Sequence, residues 1–160
     1  MTDIEGSGAY EEIIYEIEGP VATITMNRPD KLNALTDLTQ AEIRHALDIS
    51  ERTREVVGTV ITGAGRGFCS GVDMGALGDM SKAGSLQKQS HDHLAAEPGN
   101  PDNDPNFKSS PTYFLGLRKP LIAAVNGACA GLGFSYATFC DMRFVDKKAR
   151  FITSFGPRGL

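Results

Sequence analysis

Residues 60–74 have the sequence VITGAGRGFCSGVDM, and residues 123–133 have the sequence AAVNGACAGLG. In each segment, a run of apolar residues typical of a buried strand leads into a turn rich in glycine, and a helix is predicted to begin after it. Backbone N–H groups at a helix start have no intrahelical partner, and the helix dipole adds partial positive charge there. Two such starts facing each other would form an anion site made of backbone alone. That site would suit a phosphate or the oxyanion that develops on a reacting carbonyl.

The glycines of these two segments also have other possible roles. Glycines at strand–helix junctions often serve only tight turns and close packing. Neither segment is a Walker phosphate loop, because no Gly-Lys-Ser/Thr follows. The stretch from Gly127 to Gly133 lacks the GxGxxG pattern of dinucleotide sites, and the Gly-x-Ser-x-Gly elbow of hydrolases is absent.

The segments around the two glycine turns predict alternating strands and helices. Ile13, Tyr15 and Ile17 alternate with more polar positions, as in a half-buried strand, and Gly19-Pro20 makes a turn to its partner. Strand, helix, strand, loop, strand, helix, strand is the order of an α/β domain with crossover connections. The predicted strands are Glu11–Glu18, Val21–Met26, Val56–Thr62 (buried on both faces), Pro120–Val125, Met142–Val145 and Arg150–Ile152, and the predicted helices are Thr36–Arg54 and Ala130–Cys140.

The middle of the chain predicts less regular structure. Asp92 to Thr112 is rich in proline, glycine and polar residues, so we expect a mobile insertion there that flanks the substrate entrance. Short helices are predicted at Lys82–Leu94 and Tyr113–Leu117. We expect residues 1–10 to be a disordered N-terminus and residues 11–160 to form one core domain.

Composition excludes several classes of protein. The net charge of −4 and the pI of about 5.3 argue against non-specific nucleic-acid binding. No apolar run approaches the roughly 20 residues needed to cross a membrane, and the polar, acidic start does not resemble a signal peptide. The three cysteines form no CxxC pair, which indicates reduced thiols in a cytoplasmic protein. Cys69 as a nucleophile, and His91 with His93 as zinc ligands, are weaker alternatives.

At this point the sequence resembles the crotonase superfamily, the enoyl-CoA hydratase/isomerase group. The resemblance extends from about residue 11 to residue 160 and corresponds to the N-terminal portion of that family. The segments that carry it are residues 26–29 (MNRP), 32–35 (LNAL), 62–73 (TGAGRGFCSGVD), 119–127 (KPLIAAVNG) and 140–141 (CD).

The resemblance implies an α/β fold of repeated ββα units, the ClpP/crotonase spiral fold, with the C-terminal helical part missing. It implies an acyl-CoA substrate, with coenzyme A entering as part of that substrate and no permanently bound cofactor. It also implies a homotrimer or hexamer and an oxyanion hole formed by the backbone N–H groups of Val72 and Leu132. Leu132 departs from the glycine of many members, and its side chain would reshape the acyl pocket. The positions matching the coenzyme A-binding segments are Arg28, Lys31, Leu32, Ser70, Asp73, Met74 and Gly75.

The catalytic positions of the resemblance depart from the family. Hydratases of the family use two glutamates, and the matching positions here are Ser135 and Phe155, neither of which acts as a general acid or base at neutral pH. The last glutamate in the chain is Glu97, so the second half cannot supply the two-glutamate mechanism. Asp73 is expected to cap the helix after the first glycine turn, and Asp141 to fix the junction between helix and strand.

Three functions therefore stay open. The first is an acyl-CoA enzyme of the hydratase/isomerase family whose acid/base is absent or lies beyond residue 160. The second is a crotonase-type hydrolase that uses His91 or His93 as base, and the third is a coenzyme A-binding scaffold without catalysis. We also expect apolar surface around the last strand to be exposed or covered by another subunit, because the predicted helices are too few to cover both faces of the strands.

Overall fold

A computed structural model describes residues 10–73, 75 and 91–153 of the chain. The fold opens with a hairpin: β1 (Ile13–Glu18) pairs antiparallel with β2 (Val21–Met26), with Ile13 opposite Met26 and Glu18 opposite Val21. The buried side chains of β2 are Ala22, Ile24 and Met26, which alternate as a strand with one buried face requires. The hairpin predicted from the alternation is confirmed.

Helix α1 (Asp37–Arg52) crosses from β2 to β3 (Gly58–Gly63). Thr36 is its N-cap, because the Thr36 hydroxyl accepts from the Thr39 N–H at 3.0 Å and the Thr39 hydroxyl accepts from the Thr36 N–H at 3.2 Å. The helix packs an apolar stripe on β1, β2 and β3. Strand β3 then pairs parallel with β2, so the helix is the crossover that two parallel strands need.

The remaining strands alternate between two sheets. The further elements are β4 (Gly67–Cys69), β5 (Leu121–Val125), β6 (Ala128–Ala130), α2 (Leu132–Phe139), β7 (Met142–Val145) and β8 (Phe151–Ile152). The five-stranded sheet has the order β1-β2-β3-β5-β7, and the three-stranded sheet has the order β4-β6-β8. Each strand of the larger sheet from β3 onward is therefore followed by a strand of the smaller one, which gives the repeated ββα pattern that the resemblance implied.

Two sequence expectations about this region are wrong in detail. The helix predicted to begin at Ala130 begins at Leu132, because Ala128–Ala130 forms β6 between β4 and β8. The third strand, predicted to be buried on both faces, buries only the face of Thr59 and Ile61, while its other face is half-buried.

The middle segment contains only short 3-10 helices, at Asp92–Leu94, Pro105–Phe107 and Thr112–Gly116. The last replaces the helix predicted at Tyr113–Leu117. Residues 82–90 of the other predicted helix lie outside the described residues. The segment is tied to α1, because Arg44 Nε donates to the Ala96 carbonyl at 2.8 Å and Arg44 Nη1 to the Lys108 carbonyl at 3.0 Å. The mobility expected of this insertion stays a prediction.

Two buried carboxylates fix α1 to the strands on either side. Glu42 accepts the N–H groups of Glu11 at 2.7 Å and Glu12 at 2.9 Å, at the start of β1. Glu51 accepts the N–H groups of Arg118 and Lys119, both at 2.9 Å, just before β5. Asp141 joins β5 to β7 in the same way, because its carboxylate accepts from Leu121 N–H at 2.8 Å, and the expected junction role of Asp141 is confirmed.

The last two strands expose apolar side chains, as expected. Phe144 on β7 is 67% exposed and Ile152 on β8 is 57% exposed. Both strands are the outer members of their sheets among the described residues. Within that part of the chain, no helix has the length and apolar character required to cross a membrane.

The carboxylate of Glu42 provides a test of this architecture. Replacing Glu42 with alanine leaves two N–H groups at the start of β1 without their acceptor, and we expect a loss of about 2–4 kcal/mol in the free energy of unfolding. Urea denaturation of Glu42→Ala and of Glu16→Ala, which alters an exposed residue of β1, measures the difference. Equal stabilities for the two variants would contradict the anchoring role.

Candidate active site

The two glycine turns identified from the sequence touch each other. Gly71 and Gly131 have φ values of 104° and 52°, in the left-handed region that favours glycine. A Cβ built on Gly71 would lie 3.2 Å from the Ala130 carbonyl oxygen and 3.5 Å from the Leu132 nitrogen, and one built on Gly131 would lie 3.7 Å from Gly71 Cα. The absence of side chains at these two positions is what lets the backbones approach.

Val72 presents an unpaired N–H beside this contact. An isolated parallel bridge joins Leu35 to Val72: Leu35 N–H donates to the Gly71 carbonyl at 2.8 Å, and Asp73 N–H donates to the Leu35 carbonyl at 2.9 Å. Leu35 bonds to Gly71 and Asp73, the residues on either side of Val72. In such a parallel bridge the N–H and C=O of the residue between the two bonded ones point to the other side, so the Val72 N–H points away from Leu35. It has no acceptor among the residues that the structure describes.

Leu132 presents the second unpaired N–H. Gly131 is the N-cap of α2 and supplies no side-chain cap, so Leu132 is the first residue of the helix. Its N–H has no acceptor in the described ranges, as is normal for a first-turn donor. An ideal Cβ on Gly71 lies 3.5 Å from the Leu132 nitrogen and within about 4 Å of the Val72 nitrogen that follows it, so the two nitrogens lie at most about 7.5 Å apart.

Gly133 locks the first turn of α2 against the end of β4. A Cβ built on Gly133 would lie 2.5 Å from the Cys69 carbonyl oxygen and 2.6 Å from Cys69 Cβ. Cys129 Sγ also donates to the Gly133 carbonyl at 3.4 Å. The position of the Leu132 donor therefore depends on a second close approach that only glycine allows.

Two asparagines that the sequence analysis did not single out hold the turn between β3 and β4. Asn33 is buried, and its amide donates to the carbonyls of Ala64 at 3.0 Å and Gly67 at 2.8 Å. The Asn126 amide donates to the carbonyls of Gly63 at 2.7 Å and Gly65 at 2.9 Å. Asn126 directly follows β5, and Asn33 follows the 3-10 helix Pro29–Lys31 with a φ of 55°; both are placements typical of turn residues that satisfy backbone groups.

The two segments expected to bind coenzyme A are adjacent in space. Ser70 N–H donates to the Leu32 carbonyl at 3.0 Å, and the Ser70 hydroxyl donates to the Lys31 carbonyl at 3.2 Å. Lys31 is exposed and Leu32 is half-buried. Gly75 is exposed as well, whereas Met74 lies outside the described residues.

Asp73 accepts the Gly75 N–H at 2.9 Å, which is the contact expected of a capping residue, although residues 76–90 lie outside the described ranges. Its other oxygen pairs with Arg28 Nη1 at 3.0 Å. Burial raises the pKa of Asp73, but the hydrogen bond from Gly75 and the guanidinium of Arg28 together outweigh it and leave the pKa below its ordinary value.

The positions considered for acid/base chemistry lie in different places. Ser135 is half-buried on α2, three residues after Leu132 and so on the same face of the helix. Its hydroxyl has no hydrogen-bond partner among the described residues. The rings of His91 and His93 lie edge to face at 6.3 Å, and the 3-10 helix that contains His93 packs on α1. Phe155 lies outside the described residues.

The cysteines do not have the environment of a nucleophile. All three are buried, and burial raises the pKa of Cys69 to about 12, of Cys129 to about 11 and of Cys140 to about 12. Buried thiols in apolar surroundings are inert, because the thiolate is the reactive form. In the part of the chain described, no group of three His, Cys, Asp or Glu side chains is placed to hold a metal ion.

Comparisons with known proteins agree on one family. The sequence model described as enoyl-CoA hydratase/isomerase matches residues 16–160. The chain is 34% identical over 154 residues to the probable enoyl-CoA hydratase EchA14 of Mycobacterium tuberculosis, covering 94% of this chain and 53% of that protein. It is 32% identical over 156 residues to the 1,2-epoxyphenylacetyl-CoA isomerase of Escherichia coli, again covering 94% and 53%.

The solved structures give the same result for the fold. The crystal structure of an enoyl-CoA hydratase/isomerase from Mycobacterium paratuberculosis superimposes with a TM-score of 0.73 at 32% identity, over 95% of this chain and 54% of that one. This chain therefore spans about half the length of the curated relatives and solved structures that it matches.

Cysteine labelling tests the exclusion of a thiol nucleophile. A pKa near 12 in place of 9.0 leaves Cys69 with about a thousandth of the ordinary thiolate fraction. We expect a thiol-exchange chromogen at neutral pH to label none of the three cysteines in the native chain and all of them after denaturation. Rapid labelling of one native cysteine would contradict the inert assignment.

Proposed function

The chain belongs to the enoyl-CoA hydratase/isomerase family, and from that premise we propose that it binds acyl-CoA thioesters and stabilises a thioester enolate between the N–H groups of Val72 and Leu132. The proposal is supported by the contact between the Gly71 and Gly131 turns, because the N–H groups of Val72 and Leu132 beside it have no acceptor among the described residues. A thioester oxygen gains negative charge when a proton leaves the adjacent carbon or a nucleophile adds to the conjugated double bond. Two donors already in place stabilise that charge without reorganisation.

The coenzyme A moiety is proposed to lie along the paired segments that contain Arg28 to Leu32 and Ser70 to Gly75. The hydrogen bonds of Ser70 to the Lys31 and Leu32 carbonyls join these segments into one surface. Exposed Lys31 supplies positive charge suited to the phosphates of coenzyme A. The proposed contacts are Lys31, Leu32, Ser70, Met74 and Gly75, whereas Arg28 and Asp73, which the resemblance also assigns to this surface, pair with each other. Coenzyme A would enter with the substrate rather than as a resident cofactor.

The side chain at position 135 limits the reactions that the proposed site can catalyse. A serine hydroxyl is not ionised near neutral pH, so Ser135 cannot act as the carboxylate general base that water addition uses in the family. Enolate stabilisation does not require that carboxylate, because both proposed donors are main chain. Ser135 also favours a second candidate function, a coenzyme A-binding protein of the same fold that does not catalyse hydration.

The proposal also includes the cellular compartment and the oligomeric state. The free, buried cysteines suit a reducing compartment such as the cytoplasm. The exposed apolar side chains of β7 and β8, among them Phe144 and Ile152, suit a homotrimer or hexamer in which another subunit covers them.

Removing one donor tests the oxyanion hole. Proline fits the first position of a helix without strain, and Leu132→Pro deletes an N–H that has no acceptor in the described structure. Acetoacetyl-CoA, a 3-oxoacyl thioester, forms an enolate that absorbs in the near ultraviolet, and its bound fraction is read from titrations. We expect Leu132→Pro to weaken enolate binding by about 100-fold or more.

The matched control is Leu132→Ala, which changes the side chain and keeps the N–H. Val72→Pro removes the other donor, and circular dichroism confirms that each variant is folded. Enolate binding by Leu132→Pro equal to that of Leu132→Ala would contradict the assignment of Leu132.

The serine at position 135 generates a separate prediction. We expect the 160-residue chain to show no hydration of crotonyl-CoA above the uncatalysed rate, because position 135 has a serine and not a carboxylate. Loss of the conjugated thioester absorbance measures hydration, and enolate formation from acetoacetyl-CoA in the same preparation confirms that the site is occupied. Leu132→Gly should enlarge the acyl pocket without restoring hydration. Efficient hydration by the parent chain would contradict the argument from position 135.

A further inference from the structure

The guanidinium of Arg28 links two parts of the molecule that are distant in sequence. Arg28 Nε pairs with Glu12 Oε1 at 3.0 Å, and Nη1 pairs with Asp73 Oδ2 at 3.0 Å while also donating to the Ala34 carbonyl. The three charged side chains are only 19–20% exposed. Ion pairs that are partly shielded from water and share one planar guanidinium hold their geometry better than isolated surface pairs.

The Glu12 end of this link is anchored to the start of α1. Glu12 Oε2 accepts the hydroxyl hydrogens of Thr36 and Thr39, the two residues of the capping box. The backbone N–H of Glu12 donates to Glu42 Oε2 at 2.9 Å. Glu12 is therefore fixed to the helix through both its side chain and its backbone, so it can act as a rigid support for Arg28.

The Asp73 end of the link belongs to the turn that presents the first proposed donor. Asp73 follows Val72 directly, and its carboxylate joins Arg28 to the Gly75 N–H. On the other side of the turn, Leu35 holds Gly71 and Asp73 through two backbone hydrogen bonds. The direction of the Val72 N–H is thus set by the Leu35 backbone and by the side-chain link Glu12–Arg28–Asp73.

We infer that Arg28 is a positioning residue of the proposed oxyanion hole: through Asp73 it holds the turn from Gly71 to Asp73 so that the Val72 N–H stays aimed at the thioester oxygen. This inference rests on the proposed function. Donors stabilise a developing charge most when they are already oriented, so loosening the turn lowers enolate stabilisation. Binding of the coenzyme A moiety, which depends on other contacts along the surface, changes much less. Lysine cannot replace arginine here, because one ammonium group cannot reproduce the planar fork that meets both carboxylates.

The direct alternative is that Arg28 is itself a coenzyme A ligand, as the sequence resemblance implies. The guanidinium still has N–H groups that are not used by Glu12, Asp73 or Ala34 and that are available to a phosphate. The two roles make different predictions for the same variants. A ligand of the coenzyme A moiety contributes equally to the binding of free coenzyme A and of acetoacetyl-CoA. A positioning residue contributes to enolate formation, and so do the residues that hold it.

The experiment titrates the full chain separately with acetoacetyl-CoA, reading enolate absorbance, and with coenzyme A alone, reading heat of binding. The variants are Arg28→Lys, Arg28→Gln, Glu12→Gln and Asp73→Asn, and Arg54→Gln is the matched control because Arg54 is exposed and has no ion pair among the described residues. We expect the Arg28 and Asp73 variants to weaken enolate binding by tens of fold, short of the roughly 100-fold effect of a 1 Å misplacement, with less than about a threefold change for coenzyme A.

Glu12→Gln separates positioning from a general loss of structure. Glutamine keeps an oxygen for the Thr36 and Thr39 hydroxyls but weakens the ion pair to Arg28, so enolate binding should fall in the same direction without loss of folding. The double variant Arg28→Gln/Asp73→Asn should be no worse than the poorer single variant, because both interrupt one link.

Three results would overturn the inference. Equal weakening of coenzyme A and enolate binding in the Arg28 variants would make Arg28 a ligand. Unchanged enolate binding in the Arg28→Lys and Glu12→Gln variants would remove its positioning role. If the parent chain binds coenzyme A but forms no enolate, the oxyanion hole itself fails and the role of Arg28 fails with it. If the parent binds neither molecule, the acyl-CoA function is wrong.

Discussion

The close approach of two backbone turns is the constraint on which the rest of the structure depends. Gly71 meets Gly131, and Gly133 meets Cys69, at distances that leave no space for a Cβ at Gly133 and little at Gly71. Parallel pairing of β4 with β6, in which Cys69 lies opposite Cys129, brings the turns to the same end of the smaller sheet. A strand pair so short contributes few hydrogen bonds of its own. The turns must therefore be held from outside: the Leu35 backbone and the Arg28–Asp73 pair hold the first, and the contact of Gly133 with Cys69 holds the second.

Other polar side chains satisfy backbone groups at the ends of the strands. Asn33 and Asn126 satisfy carbonyls of the turn between β3 and β4, while Glu42 and Glu51 satisfy N–H groups next to β1 and β5. Each replaces the hydrogen bonds to water that a buried turn or strand end would otherwise lose. Removing one leaves buried backbone groups unsatisfied, which costs more than the net value of one hydrogen bond.

Local patterns in the sequence predicted most of the larger elements. Alternation identified β1 and β2, and the apolar stripe identified α1, since both depend on neighbours in sequence. Strands β4 and β6 were not predicted, because three residues with glycine or alanine do not show a period and form strands only through pairing. The anion site was suggested by its glycines, whereas the link from Glu12 through Arg28 to Asp73 spans residues far apart in the chain, and no local pattern indicates such a contact.

In a site whose donors are main-chain N–H groups, stabilisation of the enolate does not depend on the side chains that decide the type of reaction. Every residue except proline supplies an N–H at positions 72 and 132, so other substitutions there alter the shape of the acyl pocket and leave the proposed donors in place. Proton transfer, by contrast, needs a particular side chain in reach of the substrate. The similarity of this chain to a named hydratase and to a named isomerase, at 34% and 32% identity, fits a scaffold that is shared while the acid/base groups differ. We propose that such a difference acts at position 135, one helical turn from the proposed Leu132 donor, because the resemblance matches it to a hydratase glutamate and this chain has a serine there.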